Sequence, residues 1–196
     1  MRTFLDVRDS FLEGSDSPRD YLERCLECID SREPQVKAWV VINLENARQV
    51  ADESGKRYRQ GKPLSVIDGM PVGIKDVLQT RDMPTELGSP IFKGRETNLD
   101  TASVNALRLA GGVILGKTVT TEFAFVKPGP TTNPFDPQAT PGGSSSGTSA
   151  AVGAGMIPAG LGNQVVGSVI RPASYCGNFA IKPTIGALHN GEGLSL

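Results

Sequence analysis

The sequence is short of histidine above all. A single histidine, His189, occurs in 196 residues, so chemistry built on an imidazole base has one residue to draw on. Three cysteines cannot all pair, and nothing points to secretion, so free thiols are expected. Net charge is almost absent: 20 Lys and Arg against 21 Asp and Glu leave −1, with no basic excess to attract a nucleic acid. Long apolar runs are missing as well. The longest weakly apolar stretch, Ala150 to Gly162, is too short to span a bilayer and contains Pro158. The N-terminus has no apolar signal region, which makes the cytoplasm the default expectation. No group of His, Cys and carboxylates has metal-ligand spacing, so no metal is expected.

Charge is also lacking locally. Residues 137–191 contain no Asp or Glu, and Arg171 and Lys182 are the permanent cations there. What the chain has in excess is glycine (23) and proline (14), above average usage of about 7% and 5%. A flexible Gly/Ser linker does not account for the uncharged stretch. Met156-Ile157, Val165-Val166, Val169-Ile170 and Phe179-Ala180-Ile181 interrupt it with core-forming residues. A tightly packed centre holding small hydroxyl side chains fits better.

Local patterns set the expected elements. Residues 1–60 read as a helical segment and 61–196 as the core. Ser17-Pro18-Arg19-Asp20 supplies an N-cap, a proline at the first helical position and an acidic residue for a capping box. Leu22, Cys25, Leu26 and Ile29 then share one helix face. Lys37–Ile42 reads as a strand and Glu45–Arg59 as a second helix, with Ala47, Val50 and Ala51 inward. Met70–Lys75 reads as a strand. Asp100-Thr101 caps a helix carrying Val104, Leu107 and Leu109, and Gly111-Gly112 ends it before the strand Val113-Ile114-Leu115. This alternation predicts an α/β fold.

Three short motifs fail on context. Gly111–Thr118 fits the P-loop pattern, but a helix precedes its glycines and a strand follows, the reverse of a phosphate cradle. Gly143-Ser144-Ser145-Ser146-Gly147 fits a nucleophile elbow, yet no carboxylate lies between Ser145 and His189 to complete a triad in that order. Cys25-Leu-Glu-Cys28 lies mid-helix, where two cysteines read as ordinary helix residues.

With histidine nearly gone, a lysine neutralised by burial is the remaining base. Lys75 ends the apolar run Val72-Gly-Ile-Lys75. The other readings of Lys75 are a pair with Asp76 or a side chain snorkelling outward. Hydroxyls come from Ser144, Ser145 and Ser146, which also suit a helix cap, and from Ser168 in Gly162-Asn-Gln-Val-Val-Gly167-Ser168. There a Gly-Ser turn can gather backbone N–H groups around one point.

Gly69-Met-Pro-Val-Gly-Ile-Lys-Asp76, Pro141-Gly-Gly-Ser-Ser-Ser-Gly147 and Gly167-Ser-Val-Ile-Arg-Pro-Ala-Ser-Tyr-Cys-Gly177 occur in the order and near the spacing of the amidase signature family, which the chain resembles from about Ser17 onward. The Ser168-Val-Ile-Arg171-Pro version looks most like malonamidase-type and carboxybiuret-hydrolase-type members. The resemblance implies a mixed β-sheet sandwiched between helices, here the N-terminal part of the fold alone, since family members are over twice this length. A partly uncovered core follows from that. The resemblance further implies a Ser–cis-Ser–Lys triad: Ser168 the nucleophile, Ser144 the relay across a cis peptide, Lys75 the final base. Backbone N–H groups of Val165, Val166, Gly167 and Ser168 would hold the oxyanion. Arg171 would bind a substrate carboxylate, unless it is a structural arginine bonding carbonyls of the uncharged stretch. Ser145 and Ser146 would tie down the cis turn and Lys75.

The implied activity is hydrolysis of a small amide, one that can bear a carboxylate, releasing ammonia through an acyl-enzyme without a metal or cofactor, with a small-molecule amide as partner, no nucleic acid or membrane, and a homodimer as the family expectation. Two alternatives stand beside it: an ammonia-releasing component of a transamidating amidotransferase, which the Val-Ile-Arg-Pro order fits less well, and a catalytically impaired fragment or paralogue. Asn163, Val165 and Val166 depart from the family's usual Thr, Thr and Gly or Ala, and a β-branched Val166 is expected to restrict the backbone where the N–H groups converge.

Overall fold

In the computed structural model, residues 3–188 are described. His189 lies outside them. The fold is mixed α/β. A four-stranded sheet has the order β1-β3-β2-β4, with β1 Trp39–Ile42, β2 Pro71–Lys75, β3 Val113–Thr118 and β4 Ala159–Leu161. β1 runs antiparallel to β3, while β3 and β4 both lie parallel to β2.

Three helices precede most of the sheet. α1 spans Phe4–Glu13, α2 Pro18–Val36 and α3 Leu44–Arg59. α2 starts where the sequence predicts, with Pro18 at its first position and the Asp20 N–H donating to Ser17 Oγ at 3.1 Å. The expected capping box is only half formed. The Ser17 N–H goes to Asp16 Oδ1 (2.8 Å), and the Asp20 carboxylate takes the Ser17 hydroxyl instead (2.7 Å). Leu22, Leu26 and Ile29 of α2 pack on Ala47 and Ala51 of α3 and on Val113 and Leu115 of β3. Each such fully buried aliphatic contributes roughly 1.5–3 kcal/mol. Outside this layer, Phe4, Phe11, Tyr21 and Tyr58 form an edge-to-face ring cluster joining α1, α2 and α3.

α4, Ala102–Leu109, buries Val104 against the other face of the sheet, beside Val72, Ile74 and Ile114. Leu109 does not join it. It is 72% exposed, because Val104 and Leu107 already fill the inner face of this eight-residue helix. α5, Ser146–Gly153, and α6, Ile170–Tyr175, follow. α5 lies close on the sheet because Gly147 has no side chain. A Cβ there would collide with the backbone of Ala38 and Val119.

One irregularity decides which way two lysines point. Val72 pairs with Ile114, but Gly73 pairs with Gly116, so Leu115 is skipped as a bulge. Side chains alternate along a strand, and an extra residue flips the faces beyond it. Lys117 thereby pairs with Ile74 on the α4 face, and Thr118 pairs with Lys75 on the α5 face. The predicted strand Val113–Leu115 thus runs three residues further, through the lysine of the rejected P-loop match.

Candidate active site

The parallel strand β2 carries Lys75 into the interior, where it is 0% exposed. Its Nζ lies 2.7 Å from Ser144 Oγ and donates to the Asn163 carbonyl at 3.2 Å. Around it stand hydroxyls and carbonyls. Thr118 Oγ1 bonds Thr148 Oγ1 on α5 (2.6 Å), and α5 itself carries no charge. Burial alone, with no carboxylate to counter it, pulls the Lys75 amine from 10.5 down to about 7. Neither alternative reading of Lys75 is realised: it does not snorkel, and Asp76 is engaged by Lys117 at 3.0 Å instead.

Ser144 is held from its backbone. The Gly143–Ser144 peptide is cis, and the Ser144 carbonyl accepts from the Thr121 N–H at 3.1 Å. On the other side of that peptide, the Gly143 carbonyl accepts from both Arg171 Nε (2.9 Å) and Nη2 (2.7 Å). The next two serines brace the same turn. Ser145 Oγ donates to the Asn163 carbonyl (3.4 Å), the acceptor that Lys75 also uses, and Ser146 Oγ donates to the Val119 carbonyl (3.4 Å). Neither bonds Lys75 directly.

Ser168 stands half-buried just before α6. Its carbonyl accepts from the Ser145 N–H at 3.0 Å, which ties the Gly167-Ser168 turn to the serine turn. Its hydroxyl has no hydrogen-bond partner among the described residues. The N–H groups of Val165, Val166, Gly167 and Ser168 also donate to no acceptor among the described residues, whereas those of Val169 and Ile170 are both taken by Gln164 Oε1 (2.8 and 2.9 Å). The loop thus separates its polar groups: the Asn163 carbonyl faces the lysine, and four consecutive N–H groups remain free. Val166, expected to strain this loop, does not have a left-handed backbone and is 90% exposed.

Arg171 lies on the surface with two of its nitrogens on the Gly143 carbonyl, the structural role that the sequence left open. A cleft of about 320 Å³ runs beside the serine turn, lined by Ser145, Gly160, Gly162, Val169, Phe179 and Ile181 among others. The apolar side chains Phe179, Ile181 and Ile185 near it are exposed.

Sequence reasoning missed three participants. The Asn163 backbone carbonyl does the work at a position noted only for a lost hydroxyl. Gln164 caps the start of α6, and Lys117 is tied to Asp76. The first two follow from a turn that no residue type announces. The third needed the bulge at Leu115.

Known proteins resemble this chain in sequence and in fold. The amidase family model matches residues 20–192. A glutamyl-tRNA(Gln) amidotransferase subunit from Chloroflexus aggregans is 41% identical over 170 residues, covering 84% of this chain and 35% of that protein. A crystal structure of an amidase superposes with a TM-score of 0.88 at 28% identity, over 100% of this chain and 46% of the other. A protein from a vestigial complex bearing on the origins of an s-triazine catabolic enzyme gives 0.84 at 33% identity, over 90% of this chain and 40% of the other. The chain therefore spans less than half the length of these relatives. The resemblance to malonamidase-type members gives way to a different match, since the curated relatives carry the name of a glutamyl-tRNA(Gln) amidotransferase subunit. No helix among the described residues is long and apolar enough to cross a membrane. The chain belongs to the amidase family.

Proposed function

We propose that the chain carries the catalytic core of an ammonia-releasing amidase, with Ser168 as nucleophile, Ser144 as relay and Lys75 as base. The observation that carries this reading is the 2.7 Å contact between Lys75 Nζ and Ser144 Oγ in a pocket without charge. A serine hydroxyl is a weak nucleophile near neutrality and needs an adjacent base. An amine held near 7 is neutral often enough to serve, and protonated often enough to return the proton.

In this mechanism Ser168 Oγ attacks the amide carbon as its proton passes to Ser144 Oγ. The Ser144 proton passes in turn to Lys75 Nζ. The free N–H groups of residues 165–168 hold the oxyanion, the role usually contributing most to such reactions. Lys75 then returns the proton through Ser144 to the leaving nitrogen, the C–N bond breaks, and ammonia departs. Water, deprotonated by the same relay, attacks the Ser168 ester, and release of the acid restores the serine. Arg171 Nη1, which has no partner among the described residues, is the nitrogen through which a substrate carboxylate would be selected.

Of the two settings for such a core, the relatives favour the amidotransferase over a free-standing small-amide hydrolase. The amidotransferase proteins of Chloroflexus aggregans and of Leptospira interrogans match 84% and 95% of the chain. In that setting the amide is consumed for its ammonia, and a protein partner receives it.

A fluorophosphonate probe followed by peptide mass spectrometry tests the chemistry. Ser168 is the expected modified residue. Folded protein that takes no label there, or takes it equally with Lys75→Ala, overturns the triad. Ammonia release from glutamine that requires a second protein separates the amidotransferase setting from the free amidase.

A further inference from the structure

The start of α6 is capped by a side chain that the proposed reaction does not use. Val169 stands at the N-cap position of α6 and makes no side-chain cap. The first N–H groups of a helix have no intrahelical acceptor and need one from elsewhere. Gln164 supplies it from upstream: its Oε1 takes the Val169 N–H at 2.8 Å and the Ile170 N–H at 2.9 Å. Two donors converging on one atom identify that atom as the carboxamide oxygen. Further along, the pairing is complete. The Arg171 N–H donates to the Gly167 carbonyl (2.9 Å), Pro172 has no N–H, and the Ala173 N–H donates to the Val169 carbonyl (3.1 Å).

Among the described residues, the boundary between free and paired N–H groups therefore falls between Ser168 and Val169. Residues 165–168 lie inside the ring that the Gln164 side chain closes. Two carbonyls of that ring are already committed, Gly167 to Arg171 and Ser168 to the Ser145 N–H at 3.0 Å. The peptide entering Gln164 is pinned as well, because the Asn163 carbonyl accepts from Lys75 Nζ (3.2 Å) and from Ser145 Oγ (3.4 Å). Residue 164 thus joins two parts of the site. Its preceding carbonyl seats Lys75, and its side chain fixes where the loop of free N–H groups ends.

We infer that Gln164 is a positioning residue for the reaction: by closing the loop onto the first two N–H groups of α6, it holds the N–H groups of residues 165–168 together as the donors to the oxyanion. The inference rests on the triad reading given above. Donors of this kind are effective because they are in place before charge develops. A carboxamide holds the loop without placing a negative charge beside that oxyanion, in keeping with a stretch 137–191 that contains no Asp or Glu. A cap that served the fold alone would, once removed, lower stability and leave the folded molecules reacting as before. The two roles can be told apart.

Gln164→Met removes the acceptor and keeps the length, and Gln164→Glu keeps the acceptor. In Gln164→Met the amides of Val169 and Ile170 are expected to lose hydrogen-exchange protection. Labelling of Ser168 by an uncharged fluorophosphonate, in protein shown to be folded by circular dichroism, is expected to slow about 10- to 100-fold. Gln164→Glu is expected to keep both amides protected and to label clearly faster than Gln164→Met, its charge accounting for any remaining loss. Should Gln164→Met fail to fold, Gln164→Asn withdraws the oxygen by one methylene, and the same slowing is expected. A folded acceptor-free variant that labels at the original rate overturns the inference. So does Gln164→Glu labelling as slowly as Gln164→Met with both amides still protected.

A second arm needs no reaction. In Ser168→Ala, titration with methylphosphonate, a tetrahedral anion, is expected to shift the amide signals of residues 165–168 saturably in 1H–15N NMR. Adding Gln164→Met is expected to weaken that binding tenfold or more. Amides that do not respond, or that respond equally in both proteins, overturn the inference. A response that depends on Gln164, in a chain whose Ser168 takes no label, defeats the triad reading alone. Labelling of Ser168 that Gln164→Met leaves unchanged defeats this inference alone.

Discussion

The helical layer of residues 3–59 and the stretch 137–188 satisfy polar groups in opposite ways. The helices pair their charges. Glu23 takes both Arg19 and Arg48, Asp16 takes Arg24, and Asp68 beside α3 takes Arg57 through two nitrogens at 2.8 and 2.6 Å. The later stretch uses hydroxyls and carbonyls instead: Asn178 Nδ2 donates to the Ser149 carbonyl (2.7 Å), and Cys176 Sγ to the Pro141 carbonyl (3.4 Å). The difference has a chemical consequence. A lysine placed among the carboxylates of the first region would stay protonated. In the second it meets dipoles that solvate it incompletely, and its amine falls to about 7. Lack of acidic residues over a long stretch is therefore a condition of the lowered Lys75 amine and not merely a quirk of composition.

The widest break in this comparison comes from removing the base. Lys75→Ala is expected to slow fluorophosphonate labelling of Ser168 by on the order of 10³–10⁴-fold, and Ser144→Ala by a similar factor, because relay and base act as a unit. Ser168→Ala removes the label altogether. The pH dependence has a definite sign. Burial lowers the Lys75 amine, so the base is neutral above about 7 and protonated below it. Labelling should rise with pH through that value and level off above. A profile flat from pH 5 to 9 would show that the chargeless pocket does not supply the base.

The paired charges of the first region predict the next largest effect, on stability. Asp68 is fully buried and accepts from Arg57 and from the Leu64 N–H. Burial pushes its carboxyl up, but the Arg57 and Leu64 hydrogen bonds outweigh that and leave it below the usual range. Asp68→Asn strands Arg57 and should cost about 3 kcal/mol in urea unfolding at pH 7. A folded-state value below the unfolded 3.8 means that the contribution is complete above 3.8 and is lost as pH falls through the folded value. The variant and the unsubstituted protein should therefore converge in strong acid. Persistence of the gap there would assign it to packing and not to charge.

Much of this architecture was legible because local signals agreed with tertiary need. Ser17 and Pro18 start α2 where predicted, the apolar face Leu22–Ile29 is buried, and β2 ends at Lys75. Within the site, Lys75 and Ser144 meet at hydrogen-bond distance although 69 residues separate them. What stayed hidden depended on register. No propensity marks Leu115 as a bulge, so nothing local could say that Lys117 would turn toward Asp76. The Asn163 carbonyl and the Arg171 grip on Gly143 involve backbone acceptors, which every residue type supplies alike. Sequence therefore identifies the side chains of a site more readily than the carbonyls that seat them.

Arg171 sharpens the comparison, being a cation inside the uncharged region. Its fork on the Gly143 carbonyl fixes the peptide that leads into Ser144. Arg171→Ala is expected to slow labelling by an uncharged fluorophosphonate about 10- to 100-fold, the usual penalty for a displaced catalytic group. Arg171→Lys should recover little of it, since an ammonium cannot reproduce the two-nitrogen grip. If Arg171 acted through a substrate carboxylate alone, the uncharged probe would label both variants at the original rate, and only KM for carboxylate-bearing amides would rise.

Val166 yields the smallest effect. Family pattern puts a glycine or alanine there, and a β-branched residue is expected to restrain the loop carrying the free N–H groups. The loop nonetheless holds Val166 outside the left-handed region with its side chain in solvent, so glycine's extra freedom is not used. Val166→Gly relieves no strain and loosens the chain, which opposes ordering of the N–H groups by up to about 1 kcal/mol. Labelling of Ser168 should then be unchanged or fall by no more than about fivefold. A gain of tenfold or more would mean that the valine holds those N–H groups apart, and that the uncharged region of this chain surrounds Lys75 without a fully formed oxyanion site to match it.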